Sequence, residues 1–386
     1  MLGAEERSAP AGVPLVAMVG AGQLARMTHQ AAIALGVQLR VLGAAIDEPA
    51  ARAGAQLVPG VAARLDDLRV LAVGADVVSF DHELVPPEHL AALEREGVRL
   101  APPAAAKLLA QDKVHARQEL ARLGFPVPPF IHGRSRADAE AFAALHGLPL
   151  VAKAPRGGYD GRGVFQVATL DEVGDALAQS PDGLLLEPLL ELERELSVLV
   201  ARSPRGESVA YPVVETVQRD QMCREILAPA EISAAVADRA RELALSIADA
   251  IGATGILAVE LFDTPSGLLV NELALRPHNS GHWTIEGCIT SQFEQHIRAV
   301  LDWPLGLTDL VAPAVATVNI VGVGDGSDPV LRVADALAVP GVRLHLYGKQ
   351  PRPGRKLGHV TVTAATLAEA RERARRAASI LEGSPE

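Results

Sequence analysis

The amino-acid sequence predicts an α/β chain with α+β parts, organised as two or three domains. Three observations carry this. Strand and helix patterns alternate over about the first hundred residues. A glycine-dense loop at residues 156–163 lies between two apolar strands. The 386 residues are 49% hydrophobic and 22% charged, an ordinary globular balance that excludes wholesale disorder.

Residues 1–12 are polar and Pro/Ala-rich and read as a loose tail. The apolar run 13–19 ends in Gly20-Ala21-Gly22. Leu24, Met27, Ala31 and Leu35 follow at helical spacing, closed by Gly36. Residues 37–42 and 76–80 are further strands, the second leading into Asp81-His82-Glu83. This order implies a parallel sheet with right-handed crossovers. Pro86-Pro87 and Pro102-Pro103 punctuate its end, so a boundary falls near 105–110. Helices are expected over 112–123 and 137–146, and strands over 150–154 and 164–167, so the glycine loop tips a hairpin. Residues 184–187, 196–200 and 209–217 are strand-like, and 232–250 is the longest helical pattern. Strands 256–262 and 268–273 flank a five-residue turn at 263–267. Beyond Pro304, strands near 315–321, 342–347 and 359–363 and an Arg-rich helix from Leu367 form a small α/β unit.

The charge balance narrows the function. Lys plus Arg is 36 and Asp plus Glu is 47, a net charge of −11, which argues against a nucleic-acid binder. Two cysteines, Cys223 and Cys288, exclude a disulfide scaffold and a thiolate zinc site. No apolar run reaches the roughly 18 residues of a membrane span. Glu5 and Glu6 and the missing basic segment predict no secretory signal, and hence a cytoplasmic enzyme. Only five of the basic residues are lysines: Lys107, Lys113, Lys153, Lys349 and Lys356. In a chain that otherwise writes arginine, a retained lysine is a candidate for chemistry that needs a compact point charge.

Five segments carry that chemistry. Gly20-Ala21-Gly22-Gln23-Leu24-Ala25 fits a dinucleotide fingerprint, with Asp47 about where a ribose-binding acid would fall. A tight strand-to-helix turn needs the same glycines without a dinucleotide. Residues 156–163 hold glycines at 157, 158, 161 and 163, whose backbone N–H groups can approach phosphate. Arg156, Tyr159, Asp160 and Arg162 surround them, and Lys153 lies just before. Glu260 and Glu272 fall on the two strands of one hairpin. If Phe262 pairs with Leu268, Glu260 faces Val270 and Glu272 is its diagonal neighbour, close enough to share Mg²⁺. A one-residue slip would pair Glu260 with Asn271 instead. Arg276-Pro277-His278-Asn279-Ser280-Gly281-His282 suits an anion better than zinc, having no evident third ligand. Arg352-Pro353-Gly354-Arg355-Lys356-Leu357-Gly358-His359 is a second basic, glycine-bearing loop.

Together these segments resemble the ATP-grasp enzymes, and within them the N5-carboxyaminoimidazole ribonucleotide synthases of purine synthesis. Residues 22–27 and 80–84 match the first domain of that family as well, so the resemblance covers roughly 14–365. It implies an ATP-grasp fold with a Rossmann-like N-terminal domain (1–108), the ATP-grasp domain (109–308) and a small C-terminal domain (309–386). It also implies a cytoplasmic homodimer whose partners are ATP, bicarbonate and 5-aminoimidazole ribonucleotide, with neither nucleic acid nor membrane.

By the same resemblance, Lys113, Lys153 and Gly158, Tyr159, Asp160, Gly161, Arg162 and Gly163 hold the phosphates of ATP. Glu187, Pro188, Leu189 and Leu190 meet adenine, and Glu195 the ribose. Gln218 stands where some members have His. Glu260 and Glu272 ligate Mg²⁺, or Mn²⁺ in its place, with Asn271 beside them. Gln23, Glu83, Tyr159, Asp160, Arg162, Arg276, Asn279, Ser280, Arg355 and Lys356 hold the ribonucleotide. Asp160, Arg162, Arg276 and Lys356 act at the reacting groups. Leu275 replaces a proline common before the Arg-Pro-His run. Three alternatives stay open: another ATP-grasp purine ligase, such as a formate-dependent glycinamide ribonucleotide transformylase; an NAD oxidoreductase favoured by residues 20–25 alone; and a catalytically dead nucleotide sensor, weakened by the presence of both Glu260 and Glu272.

Overall fold

The computed structural model describes residues 12–158, 163–324 and 326–383. Its first unit is a four-stranded parallel sheet in the order Gln56–Pro59, Gln38–Gly43, Leu15–Val19, Val77–Phe80. Both faces are covered, so Leu15–Val19 and Val77–Phe80 are buried throughout and read as apolar runs, broken only by Ser79. The glycine turn after the first strand has a local explanation. Gly20 is at φ +108°, and a Cβ there would lie 2.6 Å from Asp81 Oδ1. The Gly22 N–H donates to Asp81 Oδ2 at 2.7 Å. A carboxylate from a neighbouring strand end therefore occupies the N-terminus of helix Gln23–Ala34, the place where a dinucleotide pyrophosphate would sit.

The middle of the chain supplies two walls. One is an antiparallel sheet ordered Ile131–Gly133, Leu184–Pro188, Leu150–Lys153, Val164–Val167. Helices Arg136–His146 and Leu170–Ala178 bury Phe142, Val173 and Ala176 against it. The glycine loop does tip the hairpin, with Lys153 paired to Val164. The other wall is a nine-stranded sheet. Its path runs Gly267–Ala274, Gly255–Thr264, Arg194–Arg202, Val214–Arg219, Met222–Ala228, Ala314–Val321, Lys356–Ala364, Val342–Leu346, with Ser208–Ala210 beside Arg194–Arg202. Helix Ala234–Ala250 packs Leu243 and Ile247 into its core. Helix Leu367–Glu382 covers the far end with Ala370, Ala374, Ala377 and Leu381.

Three expectations need correction. The single strand at 209–217 is two, Ser208–Ala210 and Val214–Arg219. Pro212 cannot donate to a ladder, and Tyr211 turns inward to bond the Thr290 carbonyl at 3.0 Å. The strand Met222–Ala228 was not expected, because Cys223-Arg224-Glu225 lacks apolar alternation. Glu225 is nonetheless buried, held by Arg371 and Arg375 from the last helix. Finally, the C-terminal strands do not form a sheet of their own. Met222–Ala228 pairs with Ala314–Val321, so one sheet runs from the glutamate hairpin to the C-terminal unit.

Candidate active site

The hairpin with the two glutamates is tighter than expected. Thr264 pairs with Gly267, leaving a two-residue turn, and Phe262 pairs with Leu269 rather than Leu268. Continued unchanged, that one-residue slip would set Glu260 against Asn271. The register instead shifts between Leu261 and Glu260, and Glu260 lies directly opposite Glu272. Direct cross-strand neighbours have Cβ atoms about 4.5–5.5 Å apart, closer than the diagonal expected from sequence. The bulge has a visible clamp: the Arg117 guanidinium donates to the carbonyls of Val270 and Asn271, the latter at 3.0 Å.

The two carboxyls behave differently. Burial, and then Glu272 and Glu195, push the Glu260 carboxyl up to about 8. Burial also acts on Glu272, but Lys113, Lys153 and His278 outweigh it and hold that carboxyl below its ordinary value. Lys113 Nζ lies 2.7 Å from Glu272 Oε1, and His278 Nε2 lies 3.6 Å from Glu260 Oε1.

Retained lysines crowd this place. Lys113 opens helix Lys113–Arg122, whose N-cap Asp112 accepts from the His115 N–H and from Arg156. Lys153, at the end of its strand, donates to Asn271 Oδ1 at 2.9 Å and pairs with Glu187 at 2.8 Å. Lys113, Lys153, Leu185, Asn271 and Glu272 line one cleft. Lys356 opens the last long strand, and its charge acts on Glu260, His278 and His282. The Glu187 side chain is taken up inside the structure, which leaves its backbone for the expected adenine contact. That carboxylate is buried between Arg117, at 2.5 Å, and Lys153, because two cations on flanking elements converge on it. Beyond it, Pro188 ends the strand, Leu189 is 46% exposed and Leu190 is half-buried. Glu195 hydrogen-bonds Gln218, and burial raises its carboxyl against the pull of Lys153. Gly158 and Gly163 frame the glycine loop; Tyr159, Asp160, Gly161 and Arg162 lie outside the described residues.

The Arg276–His282 segment forms the other side. Arg276 Nε donates to both oxygens of Glu83 at 2.9 Å, joining the first unit to the hairpin. Burial would raise the Glu83 carboxyl, yet Arg276 and Lys107 hold it at about 2. Ser280 departs from its expected contact with a ligand. It is 1% exposed, and its hydroxyl is shared with Ser197 at 2.7 Å and His278 at 2.9 Å, so it fixes the loop from inside. Asn279 has a buried Nδ2 without a partner among the described residues. Gln23 opens the first helix, and Arg355 donates to the Gln350 carbonyl. The two basic motifs meet at their last residues: the His282 and His359 rings stack at 4.9 Å. No group of three or more His, Cys, Asp or Glu suited to a metal occurs among the described residues.

Comparison with known proteins identifies this arrangement. The ribonucleotide synthetase preATP-grasp domain matches residues 14–111, and the ATP-grasp domain matches 118–293. The phosphoribosylaminoimidazole carboxylase C-terminal domain matches 316–373. An N5-carboxyaminoimidazole ribonucleotide synthase of Mycobacterium bovis is 50% identical over 375 residues, 95% of this chain and 87% of the relative. The chain belongs to the N5-carboxyaminoimidazole ribonucleotide synthase family. A synthase of this family from Corynebacterium ammoniagenes is 45% identical, over 96% of this chain and 92% of its own. The synthase structure from Aspergillus clavatus, in complex with ADP and 5-aminoimidazole ribonucleotide, has a TM-score of 0.88 at 34% identity, covering 96% and 99%. The Thermus thermophilus synthetase has a TM-score of 0.86 at 37% identity, with the same coverage.

In this synthase, the structure puts to use three residues to which sequence reasoning assigned no definite role. Arg117 clamps the bulge. Its only sequence signal is an arginine on the apolar face of a helix beside Val114, Ala116 and Leu120. Gln292 braces the basic loop, accepting from the His278 N–H at 2.9 Å and donating to its carbonyl at 2.8 Å. Lys107 is wholly buried against Glu83; its signal is that it is a lysine at all.

Proposed function

We propose that this synthase carboxylates the exocyclic amine of 5-aminoimidazole ribonucleotide at the expense of ATP and bicarbonate, within purine synthesis. A bicarbonate oxygen attacks the γ-phosphorus and ADP leaves, giving carboxyphosphate. The amine then attacks the carboxyl carbon, phosphate departs, and the amine proton is lost. The observation that carries this reading is the facing Glu260–Glu272 pair, ringed by Lys113, Lys153 and Lys356.

Two opposed carboxylates, one of them raised to about 8, suit a divalent cation. Glu260 and Glu272 would hold Mg²⁺ or Mn²⁺, with Asn271 beside them. The ion, when bound, neutralises charge on the transferring phosphoryl group. Lys113 and Lys153 are assigned to the phosphates, and the 157–163 loop is assigned to cover them and exclude water from carboxyphosphate. Glu195 and Gln218 are assigned to the ribose, and the backbone of residues 187–190 to adenine. Arg276, Asn279, Arg355 and Lys356 are assigned to the ribonucleotide, with Glu83 orienting Arg276. This reading places the enzyme in the cytoplasm as a homodimer. No helix among the described residues is long and apolar enough to cross a membrane.

The test is ADP release at controlled bicarbonate with Mg²⁺, with and without 5-aminoimidazole ribonucleotide. Stimulation by that ribonucleotide is expected. Equal stimulation by glycinamide ribonucleotide plus formate would transfer the assignment to the formate-using ligase.

A further inference from the structure

We infer that Lys107 is a positioning residue for the ribonucleotide half of the site: it fixes Glu83 and, through Glu83, the guanidinium of Arg276. The inference rests on the functional reading above. Lys107 is 0% exposed, so it cannot touch a substrate itself. Its ammonium lies 3.4 Å from Glu83 Oε1 and 5.0 Å from the centre of the Phe80 ring. The same helix, Ala104–Gln111, ends in Gln111, whose amide donates to the Glu83 carbonyl at 3.0 Å and the Val85 carbonyl at 2.6 Å. One helix thus grips both the side chain and the backbone of Glu83. From the opposite side both Glu83 oxygens take Arg276 Nε, and Arg276 begins the basic loop.

The choice of lysine is informative. This chain uses arginine for 31 of its 36 basic residues, yet here it buries an ammonium. Such a group is costly to bury unless a carboxylate meets it. A compact point charge fits between Phe80 and Glu83 and leaves the broad face of the carboxylate to the guanidinium. A lysine with only a packing role would be served as well by methionine of similar length.

The experiment is a double-mutant cycle on the full chain, using Lys107→Met, Glu83→Gln and the pair. ATP and 5-aminoimidazole ribonucleotide are varied in turn, and a thermal melt is run on each variant. Lys107→Met should lower kcat/KM for the ribonucleotide about 10-fold, the scale on which outer-shell partners act, while the ATP KM stays put and the melt does not fall. In the Glu83→Gln background the same substitution should cost less than about twofold, the noise of additivity. Equal rises in both KM values, an unchanged kcat/KM, or a full 10-fold loss repeated without Glu83 would overturn the inference. If Lys107→Met does not fold, Lys107→Gln enters the cycle under the same criteria. A wild-type enzyme whose ADP release ignores the ribonucleotide would instead break the functional reading, and that control is read first.

Discussion

The nine-stranded sheet carries carboxylates at two places, and they are built in opposite ways. Toward the C-terminal helix, Glu225 is 2% exposed and meets Arg371 at 2.7 Å, Arg375 at 2.8 Å and Arg219 at 3.2 Å. Burial would raise that carboxyl, but the arginines outweigh it and hold it low. At the other end Glu260 faces a second acid across the hairpin, and its carboxyl is raised. A buried carboxylate with more cations than it needs closes the structure. Two acids that face each other repel even with lysines beside them, and such a pair suits a divalent cation from outside.

The widest split between the two places should come from removing one charge at each. Glu272→Gln should lower ADP release by about 10²–10³-fold, the usual cost of losing one group that stabilises transition-state charge, without shifting the thermal melt. Near-normal turnover would sink the cation assignment. Lys356→Ala tests the cations around the pair. A lost charge-assisted hydrogen bond is worth about 1.5–3 kcal/mol, so kcat/KM for the ribonucleotide should fall roughly 10- to 150-fold. If the ATP KM moves instead, Lys356 belongs to the nucleotide half.

A pH series sharpens the contrast. With its carboxyl at about 8, Glu260 keeps a proton in the folded chain that the unfolded chain has lost above the ordinary carboxylate range. In metal-free protein its contribution to stability is complete below that range and disappears as pH rises through about 8. A cation must displace that proton, so Mn²⁺ binding, followed by its electron spin resonance signal, should tighten up to about tenfold per pH unit from 6 to 8. A flat profile would contradict it. Glu225 runs the other way: its carboxyl is lowered, so its contribution is present above the ordinary range and is lost as pH falls through the folded value. The smallest effect is expected from Glu225→Gln. It should leave kcat within about twofold and cost about 1–2 kcal/mol in urea unfolding, discounted because the arginines are part-exposed. A large loss of turnover would show that the two places are coupled through the sheet.

Much of the site was legible because its chemistry is local in sequence. Lys153 and the glycine loop are neighbours, and the Arg276–His282 run declares itself by composition. The turn at Gly20 was also readable, although the group that fills it, Asp81, lies 59 residues from Gly22. The direction of the Glu187 and Ser280 side chains is not legible, because a sequence shows residue type and not direction. Arg117 and Ser197 approach them from elements far along the chain.

By itself the sequence determined the strand–helix alternation, the hairpin that presents the glycine loop and the kinds of side chain that gather at the site. These follow from periodicity and from turn residues acting over a few positions. Only the tertiary structure decided that Glu260 faces Glu272 directly, that Lys107 and Arg117 hold Glu83 and the bulge, and that one sheet continues into the C-terminal unit. The last two rest on contacts between groups 24 to 154 residues apart or on a pairing of distant strands, and the first rests on a bulge that one of those contacts holds. Register across a bulge depends on which carbonyls a buried guanidinium can reach once the walls have packed, and no local spacing records that.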